Sequence, residues 1–128
     1  MTKRNPGLPR NPRDLYQTRD VRAVLPLLAH LPEGARFHEP CAGEGDLVDW
    51  LERFGHRCVG AGDIAPGRPG IEARDALTLD ACAGDFFITN PPWSRDLLHG
   101  IADHLRRIAP TWILADADWW QTDQTRLA

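Results

Sequence analysis

The chain has 128 residues, of which 42% are hydrophobic and 26% are charged, a composition that is ordinary for one soluble globular domain. No apolar stretch approaches the ~20 residues needed to span a bilayer, and no signal-peptide core follows the basic start, so we expect a cytoplasmic protein without membrane contacts. The formal net charge of -3 argues against a large basic surface for duplex DNA.

The first 19 residues are predicted to form a basic, proline-containing arm ahead of one domain over residues 20–128. Residues 1–22 carry six basic and two acidic side chains, a net charge of +4 that leaves -7 on the remainder. Such an arm can contact the phosphates of a polynucleotide, or it can be a solvated tail. Residues 21–30 are predicted to form a helix that Asp20 caps and that Pro26 restricts or kinks.

A short extended stretch over residues 35–38 is followed by a glycine-containing turn and an amphipathic helix. The turn is Glu39-Pro40-Cys41-Ala42-Gly43-Glu44-Gly45, and its glycines let backbone N–H groups approach a ligand closely. Apolar residues recur at helical spacing over residues 46–54. A strand, a glycine turn and a helix in this order bind nucleotide-like cofactors at the carboxyl edge of a parallel sheet. The third glycine of the dinucleotide fingerprint is missing.

Two further extended segments each end near an aspartate. Residues 56–63 predict a second strand that ends in Asp63, at about the separation from the glycine turn at which ribose-binding acids occur in related folds. Its two glycines predict a weak strand of uncertain register. Within residues 70–77 we predict a third, short edge strand, with Asp75 just past its end.

The fourth predicted strand, Phe86-Phe87-Ile88-Thr89, ends abruptly at Asn90-Pro91-Pro92-Trp93. Neither proline can donate a ladder hydrogen bond, and the first restricts the residue before it, so this corner is stiff. An amide oxygen and a backbone carbonyl can accept the two N–H bonds of a planar amino group while the indole stacks on its face. The alternative is a proline-rich turn without a ligand.

The last third of the chain completes an alternating pattern of strands and helices. Ser94 is predicted to cap a helix from Arg95 to Arg107, residues 111–116 to form a fifth strand, and residues 119–127 a final helix. The three cysteines form no Cys-x-x-Cys pair, and their odd number argues against a disulfide framework or a zinc site. We expect them to be reduced and structural, and we expect no metal.

The segments at 39–45 and 90–93 resemble those of class I S-adenosylmethionine-dependent methyltransferases that modify amino groups. Glu-Pro-x-Ala-Gly-x-Gly and Asn-Pro-Pro-aromatic occur here in that order. The resemblance implies an α/β, Rossmann-like methyltransferase fold, with a mostly parallel central sheet flanked by helices. The family's sheet has seven strands and ends in an antiparallel hairpin, whereas we predict five. We favour a chain that is cut before the hairpin; the alternative is a reduced fold whose open edge can support a homodimer.

The resemblance also implies which residues carry function. The catalytic residues would be Asn90, Pro91, Pro92 and Trp93. The residues that bind S-adenosylmethionine would be Tyr16, Thr18, Glu39, Pro40, Ala42, Gly43, Gly45, Asp63, Asp75, Ala76 and Asn90. Within this set, Glu39 and the turn would line the methionine end of the cofactor, Asp63 would accept from the ribose hydroxyls, and Asp75 would accept from the adenine amine. The segment around Tyr16 would close over the cofactor.

We therefore predict methyl transfer from S-adenosylmethionine to an exocyclic amino group, with adenine N6 in DNA favoured. Cytosine N4, an amino group in RNA and protein glutamine stay open, because all of them present a planar NH2. A non-catalytic, cofactor-binding partner subunit is an alternative of another class, and a dehydrogenase half-domain lacks support from the glycine pattern. So small a chain has no room for a target-recognition module, so we expect low sequence specificity or a specificity partner. The glycine turn and the Asn-Pro-Pro corner must then lie side by side at one edge of the sheet.

Overall fold

The protein was analysed as a computed structural model, which describes residues 21–92 and 94–114. The strands are β1 (Arg36–Glu39), β2 (Arg57–Asp63), β3 (Glu72–Ala73), β4 (Phe86–Thr89) and β5 (Thr111–Ile113). The helices are α1 (Leu25–Leu28), α2 (Asp46–Arg53) and α3 (Arg95–Arg106), with 3-10 turns at Val21–Ala23 and Ala76–Thr78. The strands form one sheet in the order β3-β2-β1-β4-β5, and every neighbouring pair is parallel. The predicted α/β class, with an arrangement compatible with a Rossmann-like sheet, is thereby confirmed.

The two faces of the sheet are covered by different helices because consecutive side chains of a strand point to opposite faces. Phe37, Phe86 and Ile88 pack in one apolar cluster with residues of α1 and α2. Phe87 packs in a second cluster with residues of α3 and of the 3-10 turn after β3. Strands β1 and β4 are therefore buried from both sides, as expected for central strands of a parallel sheet.

The helix predicted over residues 21–30 is wrong in its length. The chain forms a 3-10 turn and then the single turn α1, with Pro26 at its start. Pro26 has no N–H to donate, which prevents a continuous helix through this segment. Ser94 does precede α3 at the capping position, but its side chain makes no capping hydrogen bond. The arm at 1–19, the Asp20 cap, residues 115 and 116 of the predicted fifth strand and the predicted helix at 119–127 lie outside the described residues.

Strand β2 forms over seven residues, so its two glycines do not interrupt it. Its register does shift: Phe37 pairs with Cys58 and His38 with Gly60, which leaves Val59 as an extra residue. A Cβ atom at Gly60 would lie 2.9 Å from the Cβ atom of Ala83. The glycine permits this close approach, and the bulge brings Asp63 to the end of the strand. Among the described residues, no helix has the length and apolar character required to cross a membrane.

Gly84, two residues before β4, lies close to the backbone of β1. This contact gives a testable prediction about the spacing of the two central strands. A Cβ atom at Gly84 would lie 2.6 Å from the carbonyl oxygen of Arg36, an oxygen that accepts from Asp85 N. Gly84→Ala must push backbone against backbone, and we expect it to lower the free energy of unfolding by about 1–3 kcal/mol, measured by urea denaturation.

The matched control is Gly100→Ala in α3. Gly100 is exposed, and a Cβ atom there would meet nothing within 4 Å. Because alanine is a better helix former than glycine, this change is expected to raise the free energy of unfolding by up to about 1 kcal/mol. Similar effects of the two substitutions would contradict the close approach of β1 and β4.

Candidate active site

The residues that the sequence singles out lie at the ends of four neighbouring strands. Asp75 follows β3, Asp63 ends β2, Glu39 ends β1 and Asn90 follows β4. Because the strands are all parallel, these ends share one edge of the sheet, where the residues follow one another in that order. The strand order reverses its direction between β1 and β4, and open α/β sheets bind ligands at the carboxyl side of such a switch point.

The glycine turn adopts backbone conformations that only glycine reaches without strain. Gly43 has φ of 57° and Gly45, the residue before α2, has φ of 92°. Gly45 N donates to Ala42 O at 2.8 Å, and Ala42 N donates to the Gly62 carbonyl of β2 at 2.8 Å. The turn is therefore closed on itself and attached to the end of the neighbouring strand. Pro40 and Ala42 are buried within it, so they shape the turn.

Asp63 connects the end of β2 to this turn. Its Oδ1 accepts from Gly43 N at 3.0 Å, and its Oδ2 accepts from Ala65 N at 2.8 Å. A carboxylate has about four acceptor positions, so two hydrogen bonds leave capacity for hydroxyl donors of a ligand. The residue is half-buried at the carboxyl edge of the sheet.

The loop after β2 folds back over the glycine turn, a feature that sequence reasoning missed. Gly67 N donates to Gly43 O at 2.9 Å. The Arg68 guanidinium lies against Gly45, at a place that a Cβ atom would occupy, and donates two hydrogen bonds of 2.8 Å to the Asp49 carboxylate of α2. These bonds hold the pKa of Asp49 below its usual value. The turn is thus held between β2 on one side and Arg68 on the other.

Glu39 joins the glycine turn to the Asn-Pro-Pro corner. Its side chain is 1% exposed; Oε1 accepts from Cys41 N at 2.8 Å and Oε2 accepts from Asn90 N at 3.3 Å. Burial raises the pKa of this carboxyl to about 7, and the nearby Asp63 carboxylate adds to the rise. The expectation that the turn and the corner lie side by side is confirmed for residues 39–45 and 90–92.

A buried polar cluster surrounds this carboxyl. Thr89 is fully buried, and its Oγ1 has no hydrogen-bond partner among the described residues. The hydroxyl lies near enough to lower the pKa of Glu39, but without the geometry of a hydrogen bond. Burial raises the pKa of the Cys41 thiol, which is therefore neutral and unsuited to nucleophilic attack. All three cysteines are free, as expected, and no cluster of metal-ligating side chains occurs in residues 21–92 and 94–114.

The corner itself leaves the sheet directly after Thr89. The carbonyl of Thr89 accepts from Leu114 N at 2.9 Å, which is where the ladder with β5 ends. Asn90 is half-buried, Pro91 is buried and Pro92 is exposed. A buried proline between these residues restricts the path of the chain, as the sequence predicts. Trp93, Tyr16 and Thr18 lie outside the described residues, so their predicted roles remain predictions.

At the far end of the edge, Asp75 already has a local task. Its Oδ1 accepts from Leu77 N at 2.9 Å, so its side chain caps the 3-10 turn that begins at Ala76. Ala76 is buried in the cluster beneath α3. The Asp75 carboxylate is exposed and retains acceptor capacity for an adenine amine.

Sequence reasoning also missed Ile64, which is 75% exposed directly after Asp63. The sequence feature that could have indicated Ile64 is an apolar residue immediately after an acidic residue that ends a predicted strand.

Comparisons with known proteins assign no family to this arrangement. No protein-family model matches the chain, and no curated protein is significantly similar to it in sequence. The chemistry of the site therefore rests on its own residues: a closed glycine turn, three carboxylates along one edge, and an amide at the switch point.

The raised pKa of Glu39 predicts a pH dependence of stability. The pKa rises from 4.5 to about 7 on folding, so the folded chain binds more protons than the unfolded chain between these values. Its free energy of unfolding therefore falls as the pH rises from about 4.5 to 7, by about 3 kcal/mol from this residue, and is level above that range. We expect the difference between the wild type and Glu39→Gln, from urea denaturation at pH 4.5 to 8, to show this loss.

The comparison with Glu39→Gln is needed because His38 acts in the opposite direction. Burial lowers the pKa of His38, which favours the folded state as the pH rises through the ordinary value of 6.5. Both proteins contain His38, so its contribution cancels in their difference. Two stability curves that run parallel across this pH range would show that Glu39 titrates as an ordinary carboxyl.

Proposed function

We propose that this chain is a class I methyltransferase that transfers a methyl group from S-adenosylmethionine to an exocyclic amino group, with adenine N6 in DNA as the favoured target. The observation that carries the proposal is the meeting of two segments at the switch point. The glycine turn after β1 and the Asn-Pro-Pro corner after β4 are joined through Glu39 and Asn90 N. Order in sequence and place in the sheet thus agree with the resemblance.

The order of groups along the edge matches the order of parts in the proposed cofactor. S-adenosylmethionine consists of an amino acid, a ribose and an adenine in that succession. The glycine turn, Asp63 and Asp75 follow β1, β2 and β3, which are consecutive neighbours in the sheet. The turn would hold the methionine end, Asp63 the ribose hydroxyls and Asp75 the adenine amine. Ile64, exposed beside Asp63, would cover an apolar ring face.

The charge of the edge also supports a cationic ligand. Glu39 and Asp63 lie close enough for Asp63 to raise the pKa of Glu39. S-adenosylmethionine carries positive charge on its sulfonium and its ammonium groups, and opposite charge nearby stabilises ionised carboxylates. NAD, by contrast, would bring a pyrophosphate to this acidic edge.

When bound, S-adenosylmethionine supplies a sulfonium methyl group that is already an activated electrophile. The chain's task is then to align an amine nitrogen with that methyl group, because no strong nucleophile has to be generated. The amide oxygen of Asn90 and the carbonyl oxygen of Pro91 would each accept a hydrogen bond from one of the two N–H groups of the amine. These contacts would favour a pyramidal nitrogen and offset the positive charge that develops on it. Trp93 would stack on the base, a contact worth ~1–3 kcal/mol in nucleic-acid complexes.

A base inside a duplex cannot reach an amide at the edge of this sheet. The target nucleotide would have to be flipped out or be single-stranded already. With a formal net charge of -7 over residues 23–128, the domain offers limited attraction to phosphate, so a specificity partner or the basic arm would assist binding to a polynucleotide.

The test has two steps. Titration calorimetry with S-adenosylmethionine and with NAD identifies the cofactor, and we expect binding of the first alone. Incubation of the methyl-labelled cofactor with single-stranded DNA, RNA and a glutamine-containing peptide then identifies the target. Label recovered as N6-methyladenine after digestion of the DNA is the expected result. Label on RNA alone or on the peptide alone would show that this molecule, and not DNA, is the substrate. Cofactor binding without any methyl transfer would favour a non-catalytic partner subunit.

Asn90→Ala separates catalysis from binding. Loss of the amide oxygen removes one acceptor for the amine, so we expect the rate of transfer to fall by about 100-fold or more, with the cofactor dissociation constant nearly unchanged. Single-turnover transfer and calorimetry measure the two quantities. Asp75→Asn is the matched control, expected to weaken cofactor binding while preserving the rate at saturation. An equal loss of binding and rate in Asn90→Ala would mean that Asn90 is only structural.

A further inference from the structure

We propose that Glu39 is a positioning residue whose carboxylate sets the place of Asn90 relative to the glycine turn. The catalytic meaning of this inference rests on the proposed function, whereas its structural part does not. One side chain accepts hydrogen bonds from two segments that are far apart in sequence, Cys41 N in the turn and Asn90 N in the corner. Its two oxygens therefore define the distance between the two segments.

The backbone ladder does not define that distance. The pairing between β1 and β4 ends with His38 and Phe87, three residues before Asn90. Beyond that point, Ile88 and Thr89 pair with β5 on the other side. The corner is thus aligned with β5 by the sheet, but with β1 by the Glu39 side chain.

Asn90 also provides the last backbone donor ahead of the two prolines. Pro91 and Pro92 have no N–H, so neither can anchor the corner to the sheet through a donor. The N–H group that donates to Glu39 belongs to Asn90, the same residue whose side-chain amide oxygen would accept a hydrogen bond from the substrate amine. A change in this hydrogen bond therefore moves the catalytic group directly, with no intervening residue.

The surroundings of Glu39 make this connection sensitive to ionisation. The side chain is buried, and in the part of the chain that the structure describes the titratable groups around it are the Cys41 and Cys58 thiols and the Asp63 carboxyl of the neighbouring strand. An ionised carboxylate is the stronger acceptor for Asn90 N. The protonated form has an O–H donor, and the Thr89 hydroxyl nearby has an oxygen without a partner. Protonation would therefore turn Glu39 from the corner toward Thr89.

Amide NMR tests the structural part without any substrate. In a pH titration of the wild-type protein, the Cys41 and Asn90 amide resonances are expected to shift together, with one midpoint near pH 7. In Glu39→Gln both transitions should be lost. Asp63→Asn is the matched control, because Asp63 also accepts from the turn but, within the described residues, has no hydrogen bond to the corner; there the Asn90 transition should remain. If the Asn90 amide resonance does not shift together with the Cys41 amide resonance in the wild type, the proposal is wrong. This measurement needs no variant, so it decides the question even if Glu39→Gln fails to fold.

Kinetics tests the catalytic part. We expect Glu39→Gln to lower kcat at saturating cofactor by about tenfold or more, because a displaced Asn90 no longer aligns the amine. Glu33→Gln, which changes an exposed carboxyl in the turn before β1 and outside the candidate site, is the control and is expected to leave kcat unchanged. An unchanged kcat in Glu39→Gln would overturn the positioning role. Absence of transfer by the wild type would instead refute the proposed function, and the amide titration would still decide whether Glu39 holds Asn90.

Discussion

The parallel pairing of β1 with β4 is the constraint on which the candidate site depends. Phe37 and Phe87, which face opposite sides of the sheet, are fully buried on these neighbouring strands. Close approach at Gly84 fixes the start of the pairing. Because the two strands run in the same direction, their carboxyl ends emerge together, and residues 51 positions apart come within hydrogen-bond distance. Burial of apolar side chains on both faces thus places two polar segments at one edge.

Hydrogen bonds between the loops hold this edge of the sheet in addition to the pairing of the strands. Asp63 accepts from Gly43 N, Gly67 N donates to Gly43 O, and Arg68 spans Gly45 to reach Asp49. Each contact restrains a turn whose glycines would otherwise have wide conformational freedom. The Arg68 pair is largely exposed and contributes little by its charge, so its effect is local ordering of the turn. A ligand binding there would meet a turn whose backbone conformation is already fixed.

Much of this arrangement could be predicted from the sequence, and the rest depends on contacts that local patterns do not encode. The strands were predictable because apolar runs end at glycine or proline, and the turn because Gly43 and Gly45 need positive φ. The length of α1 could not be predicted. The helical spacing of the leucines predicts a longer helix, and it does not tell how far Pro26 shortens that helix. The bulge in β2 depends on how His38 and Ala83 pack against Gly60. The Arg68 contact and the burial of Glu39 follow from tertiary packing, which no spacing rule describes.

Glu39 and Asn90 also link the charge of a ligand to the geometry of the corner. A cation bound near the glycine turn would favour the ionised form of Glu39, whose burial otherwise opposes ionisation. That form is the stronger acceptor for Asn90 N, so a cationic cofactor would strengthen the bond that positions the amide. Linkage is reciprocal, so a well-placed corner would in turn favour cofactor binding by the same free energy. On the proposed function, a bound methyl donor would then raise the fraction of molecules in which Glu39 holds Asn90 in place, without any movement of the sheet.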